Sequence, residues 1–130
     1  MNPQILLVDD EATVGQLLKV YFQKFGLDLA TAMTVDQAKQ VLDKDQFHLV
    51  ILDLDLGGAD GMELLGYIKG KFPKMPVVIF TGLNLDENFL KRTLAGRAEG
   101  FMRKTESLTA LFKEVCRHLP AELQPPNAPA

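Results

Sequence analysis

The sequence predicts an α/β domain built on a parallel β-sheet with helices on both faces. Three observations predict it. Short apolar runs alternate with amphipathic stretches, and Ile5–Val8, Leu49–Leu52 and Val77–Phe80 are the clearest runs. Those runs are apolar at every position, not every second one, as in strands buried on both faces. Polar residues stand directly after them: Asp9 and Asp10, Asp53, and Thr81. In open parallel sheets ligands bind beyond the carboxyl ends of the strands, where these residues fall.

Taken in order, Ile5–Val8 is the first strand. Val14, Leu17, Leu18, Tyr21 and Phe25 then recur at helical spacing, and Gly26 stops that helix. Leu27–Thr31 is the second strand. Thr34 and Gln37 have capping-box spacing and open a helix carrying Ala38, Val41 and Leu42. Leu49–Leu52 is the third strand. Gly57 and Gly58 mark a loop, and Asp60 is placed to cap a helix carrying Met62, Leu65 and Ile68. Val77–Phe80, after Pro76, is the fourth strand. Phe89, Leu90 and Leu94 predict a fourth helix, and Gly100–Arg103 a short fifth strand. Leu108, Leu111, Phe112, Val115 and Leu119 make the last helix. Right-handed crossovers put helices on both sides of such a sheet. From Pro120 the chain holds four of its seven prolines and no periodic pattern. That predicts a folded domain over 1–119 and a disordered tail, or the start of a linker, over 120–130.

At 130 residues this is one domain, large enough to bury a core. A net charge of −3 argues against nucleic acid as its direct partner. The single cysteine, Cys116, excludes an internal disulfide and fits a reducing compartment. No apolar stretch approaches the roughly 20 residues of a membrane span. The N-terminus enters a strand-like run at once, unlike a signal peptide. A cytoplasmic protein without membrane contact is expected.

If the first and third strands are parallel neighbours, Asp9, Asp10 and Asp53 meet at one sheet edge. Three clustered anions repel, so the cluster calls for a cation among them or a protonated member. A hard-cation site with one carboxylate free to react is what phosphoryl transfer to aspartate requires. Asp10 and Glu11 also suit the positive N-terminus of the first helix, but that does not account for Asp9.

With Asp9-Asp10, Asp53, Thr81 and Lys104 each following a predicted strand, the chain resembles the receiver domain of two-component response regulators, the chemotaxis response regulator type. The likeness covers about residues 4–118. It implies a flavodoxin-like, doubly wound five-stranded sheet of order 2-1-3-4-5. It implies that Asp53 is a phosphoacceptor served by a sensor histidine kinase or a phosphotransfer protein. Asp9 and Asp10, with Asp53 and the backbone carbonyl of Asp55, would hold Mg²⁺ or Mn²⁺. Thr81 would be the switch hydroxyl, Lys104 the partner of Asp53, and Phe101 the aromatic switch residue, though a half-buried strand aromatic needs no switching role. Such a domain catalyses only its own phosphorylation and dephosphorylation. Dimerisation through the surface of the fourth helix, fifth strand and last helix is a family-level expectation; Lys91, Arg92, Arg97, Arg103 and Glu106 fall near it.

The chain departs from the family pattern in places. Thr105 stands where a proline, often cis, usually follows the lysine. Gly57 stands where a proline usually lies four residues past the phosphoacceptor. Asp55 adds negative charge near the site, and Leu83 is an apolar residue placed to shield an acyl phosphate from water. Two other readings compete. One is a receiver-like binding module that is not phosphorylated. The other is a hydrolase, because Asp53-Leu54-Asp55 resembles the nucleophile motif of haloacid-dehalogenase-type phosphatases. His48 falls at the opposite strand end from the carboxylates, and His118 falls at the end of the last helix, where a cation is favourable. Cys116 is expected to serve packing.

Overall fold

The computed structural model describes residues 2–56, 59–82, 88 and 97–126, with Ala59 and Asp60 described in their backbone only. The expected fourth helix through Phe89, Leu90 and Leu94 lies outside the described residues, as do Gly57, Gly58, Leu83, Lys91 and Arg92.

Five strands form one parallel sheet: β1 (Gln4–Val8), β2 (Asp28–Ala32), β3 (Leu49–Leu52), β4 (Val77–Thr81) and β5 (Gly100–Arg103). Their order is β2-β1-β3-β4-β5, every pair parallel, as expected. The helices are α1 (Ala12–Lys24), α2 (Val35–Lys44), α3 (Gly61–Lys71) and a last helix, Leu108–Arg117. Successive strand residues point to opposite faces, and the core divides accordingly. Ile5, Leu7, Leu49, Ile51 and Val78 meet α1 and the last helix through Leu18, Phe22, Leu111 and Phe112. Leu6, Val8, Val50, Leu52 and Ile79 meet α2 and α3 through Ala38, Leu42, Leu64 and Ile68. Both faces are therefore covered, which is why Ile5–Val8, Leu49–Leu52 and Val77–Phe80 carry no polar residue on either side.

The first face is reinforced by aromatic rings. Phe112 packs edge-on against Phe22 and Phe25, with ring centroids 5.1 and 5.6 Å apart. The Tyr21 hydroxyl lies 2.8 Å from that of Thr109, tying α1 to the last helix. Cys116 belongs to the same cluster, and burial pushes its thiol up to about 11. It is an inert packing residue.

Three local features differ from the expected outline. β2 begins at Asp28, one residue later than expected, because the Leu27 N–H donates to the Phe22 carbonyl and closes the end of α1. Gly26 makes that closure possible with φ +89°, a conformation that side-chain-bearing residues avoid. Asp55–Leu56 and Ala59–Asp60 add a short antiparallel pairing on either side of the expected Gly57-Gly58 loop. Finally, Ala121–Leu123 forms a 3-10 turn, and Leu123 packs on the first core face. The segment from Pro120, expected as a disordered tail or the start of a linker, carries this one turn against the core.

The expected cap at Thr34 is present. Its hydroxyl accepts the Gln37 N–H at 3.1 Å, and the Gln37 side chain accepts the Met33 N–H at 2.8 Å. Thr34→Ala is expected to cost about 1 kcal/mol, read as a lower urea midpoint at unchanged slope. No change in midpoint would mean that the packing of Ala38 and Leu42 alone holds α2.

Candidate functional site

Strand register assembles the site. Val8 pairs with Leu52, so the next residues, Asp9 and Asp53, leave the sheet side by side. The Asp53 N–H still donates to the Val8 carbonyl at 2.9 Å, and the Asp9 N–H to the Ala32 carbonyl at 3.0 Å. At the far strand Thr81 pairs with Arg103, and the Lys104 N–H donates to the Thr81 carbonyl at 2.9 Å. Lys104 therefore starts from the same edge and reaches inward.

Asp9 and Asp53 are treated alike. Each is 3 % exposed. One oxygen of each accepts the N–H two residues on: Asp9 Oδ1 from Glu11 at 2.9 Å, Asp53 Oδ1 from Asp55 at 3.0 Å. These local turns fix both carboxylates before any ligand arrives. The other oxygens converge on Lys104 Nζ, Asp53 Oδ2 at 2.9 Å and Asp9 Oδ2 at 2.8 Å. The Asp9 contact is an ion pair lacking hydrogen-bond alignment, so Asp9 Oδ2 is buried with no hydrogen bond. Glu11 Oε1 joins the same ammonium at 2.8 Å. Carboxylate oxygens of Asp9, Asp10, Glu11 and Asp53 lie within 4.8 Å of one another, those of Asp10 and Glu11 being exposed. A buried oxygen held by an ion pair alone, among four carboxylates, is a donor set suited to a hard divalent cation.

The electrostatics follow from this geometry. Burial raises the Asp9 pKa and the neighbouring Asp53 charge adds to the rise, while Lys104 and the Glu11 N–H oppose it. Burial by itself would lower the Lys104 pKa. The carboxylates of Asp9, Glu11 and Asp53 outweigh it and hold that pKa well above the ordinary lysine value. Lys104 thus stays charged throughout the physiological range.

The remaining expected residues fall nearby or apart. Thr81 is fully buried at the end of β4, next to the backbone anchor of Lys104. The Lys104–Thr105 peptide is trans, and Lys104 nonetheless reaches Asp53. Asp55 contributes its N–H while its side chain is exposed. Phe101 is half-buried on the α2 and α3 face, with the Arg103 guanidinium 5.9 Å from its ring centroid. His48 stands just before β3 and His118 at the end of the last helix, both remote from the carboxylate edge in the strand order.

Two site residues lie beyond those that the sequence marks. Glu11 suits the start of α1 by sequence and is the N-cap there, yet its side chain bonds Lys104 and caps no N–H. Gly61 was not singled out. A Cβ on Gly61 would stand 2.7 Å from Leu54 Cα and 2.8 Å from the Asp53 and Leu54 carbonyl oxygens. A glycine opening a helix eight residues after a strand-end aspartate was the available signal.

Comparisons agree with the geometry. The family model of the response regulator receiver domain matches residues 5–116. The response regulator PilR of Pseudomonas aeruginosa is 30% identical over 114 residues, covering 88% of this chain and 25% of PilR. The chain spans about a quarter of the length of such relatives. The receiver domain of a LuxO repressor protein from Vibrio parahaemolyticus superposes with a TM-score of 0.82 at 26% identity, covering 91% of this chain and 90% of that one. The response regulator TrrA of Thermotoga maritima, solved with Mg²⁺ and beryllium fluoride, superposes at 0.78 with 27% identity over 90% of this chain and 99% of that one. Family match, sheet order and carboxylate edge together place this chain in the response regulator receiver domain family.

Proposed function

We propose that Asp53 accepts a phosphoryl group and that the domain works as a phosphorylation switch. The observation that carries this reading is the convergence of the Asp9 and Asp53 carboxylates on Lys104 Nζ, within 2.9 Å, at the carboxyl edge of the sheet. Asp9, Asp10, Asp53 and the Asp55 carbonyl would hold Mg²⁺ or Mn²⁺. That cation, when bound, neutralises charge on the transferring group. An Asp53 oxygen bonds to phosphorus as the nitrogen–phosphorus bond of a phosphohistidine breaks, and the imidazole leaves with the electron pair. Lys104 turns from the free carboxylate to a phosphoryl oxygen, and the Thr81 hydroxyl donates to another. Water later cleaves the acyl phosphate, so the domain reverses its own modification. The donor is a sensor histidine kinase or a phosphotransfer protein in the cytoplasm. Movement of Thr81 frees space toward which Phe101 turns, changing the surface around β5 and the last helix for a downstream partner or a second copy. The phosphatase alternative loses ground because the exposed Asp55 side chain stands outside the carboxylate cluster.

Incubation with a ³²P-phosphorylated histidine kinase tests this reading. Label should pass to the wild-type chain and not to Asp53→Asn. Equal labelling of both would contradict it.

Asp9 gives a second test. Its native pKa is raised, so its contribution to stability is greatest below the ordinary value of 3.8 and is lost as pH rises through the native value. In metal-free buffer, Asp9→Asn should therefore melt higher than wild type at neutral pH, with the advantage shrinking on acidification toward 3.8. Mg²⁺ should stabilise wild type and leave the variant unmoved. A variant that melts lower than wild type at neutral pH would show that the Lys104 pairing outweighs the burial of Asp9.

A further inference from the structure

At the sheet edge opposite the carboxylates, the segments entering β3 and β4 and the end of the last helix border an open groove of about 770 Å³. Its walls are largely apolar, with Phe47, Phe72, Met75, Leu119 and Leu123. Small-molecule sites share that size range and that lining. The polar lining is one-sided in charge: His48, Lys74 and His118 contribute, and no Asp or Glu does, in a protein of net charge −3.

These groups differ in what they offer. His48 Nδ1 accepts the Gln4 N–H at 2.9 Å, so the neutral ring carries its proton on Nε2. That N–H has no partner among the described residues. Lys74 is exposed and forms no ion pair among the described residues. His118 is turned to its own helix, with Nε2 3.8 Å from Glu114 Oε2. The adjoining cleft beyond Phe47 and Phe72 carries Asp45, Lys44 and an Asp43 already paired with Lys71, so it offers no net charge to either sign. Within the groove itself, Lys74 and the His48 N–H are the groups turned to an anion. Among the described residues the chain leaves the groove after Leu123: Pro125 lies against Gly26, at the turn between α1 and β2.

We propose that this groove binds a small anionic amphiphile. Its aromatic or aliphatic body fills the apolar walls, and its carboxylate or sulfonate pairs with Lys74 and the His48 N–H. This site is independent of phosphorylation at Asp53.

The probe is 1-anilinonaphthalene-8-sulfonate, with neutral N-phenyl-1-naphthylamine as its uncharged counterpart. The sulfonate should bind saturably and one-to-one, with enhanced fluorescence and with NMR shifts at the Met75 methyl and the His48 ring. Lys74→Glu, an exposed change that spares the fold, should weaken the sulfonate about tenfold, one charge-assisted contact, and barely affect the neutral probe. Absence of saturable binding to the folded protein would overturn the proposal, as would shifts confined to other residues or equal effects of Lys74→Glu on both probes. Sedimentation of a dimer that Lys74→Glu dissolves would also overturn it, assigning the groove to a second copy.

Discussion

Lys104→Met is expected to lower the melting temperature by roughly 10 °C at neutral pH without divalent cations, about 3 kcal/mol for a domain of this size. Methionine keeps the stem that packs beneath the ammonium and removes only the charge. Asp9 and Asp53, both 3 % exposed, are then left facing each other with no cation between them. Removing one partner of a buried ion pair costs more than the pair contributes, because the residual charge stays desolvated. The value is set at the lower end of that range because Glu11, the third partner, is exposed. Protonation and metal both supply the missing compensation. Acidification and Mg²⁺ should therefore restore more stability to Lys104→Met than either adds to wild type. Unchanged melting without metal would mean that Lys104 contributes nothing to holding the carboxylates together.

Gly61→Ala is expected to destabilise the domain by about 1–3 kcal/mol and to slow phosphorylation of Asp53 by up to about a hundredfold. The added Cβ meets backbone on every side, 2.7 Å from Leu54 Cα and 2.8 Å from two carbonyl oxygens. No flexible side chain can yield, so either the chain after Asp53 or the start of α3 must move. Displacing Leu54 displaces the carboxylate beside it and the Asp55 N–H that orients it. Gly70 is the control, in the same helix with nothing within 4 Å of its would-be Cβ. Gly70→Ala should stabilise by about 0.5–1 kcal/mol and leave the phosphorylation rate alone. Equal effects from both substitutions would indicate helix propensity, not close approach to Asp53.

The parts of this molecule legible in its sequence are those governed by short-range rules. β1, β3 and β4 stand out because burial on both faces demands unbroken apolar runs, and the Thr34 cap because its partner lies three residues on. Asp9, Asp53 and Lys104 were legible because each directly follows a strand, so parallel register alone brings them together. The aim of Lys104 was not, since Thr105 replaces the usual proline; three carboxylates around Nζ hold it on a trans chain. Glu11 was hidden because an acidic residue at a helix start has an adequate local explanation. The packing of Leu123 depends on where the last helix ends relative to α1, a relation between residues nearly the whole chain apart.

The measurement that tests the central claim most directly is intact mass after acetyl phosphate treatment, with and without Mg²⁺, on wild type and Asp53→Asn. The account predicts a single phosphoryl adduct on wild type that requires Mg²⁺ and is absent from the variant. A folded wild-type chain that gains no adduct, or an Asp53→Asn chain that gains the same one, would contradict it.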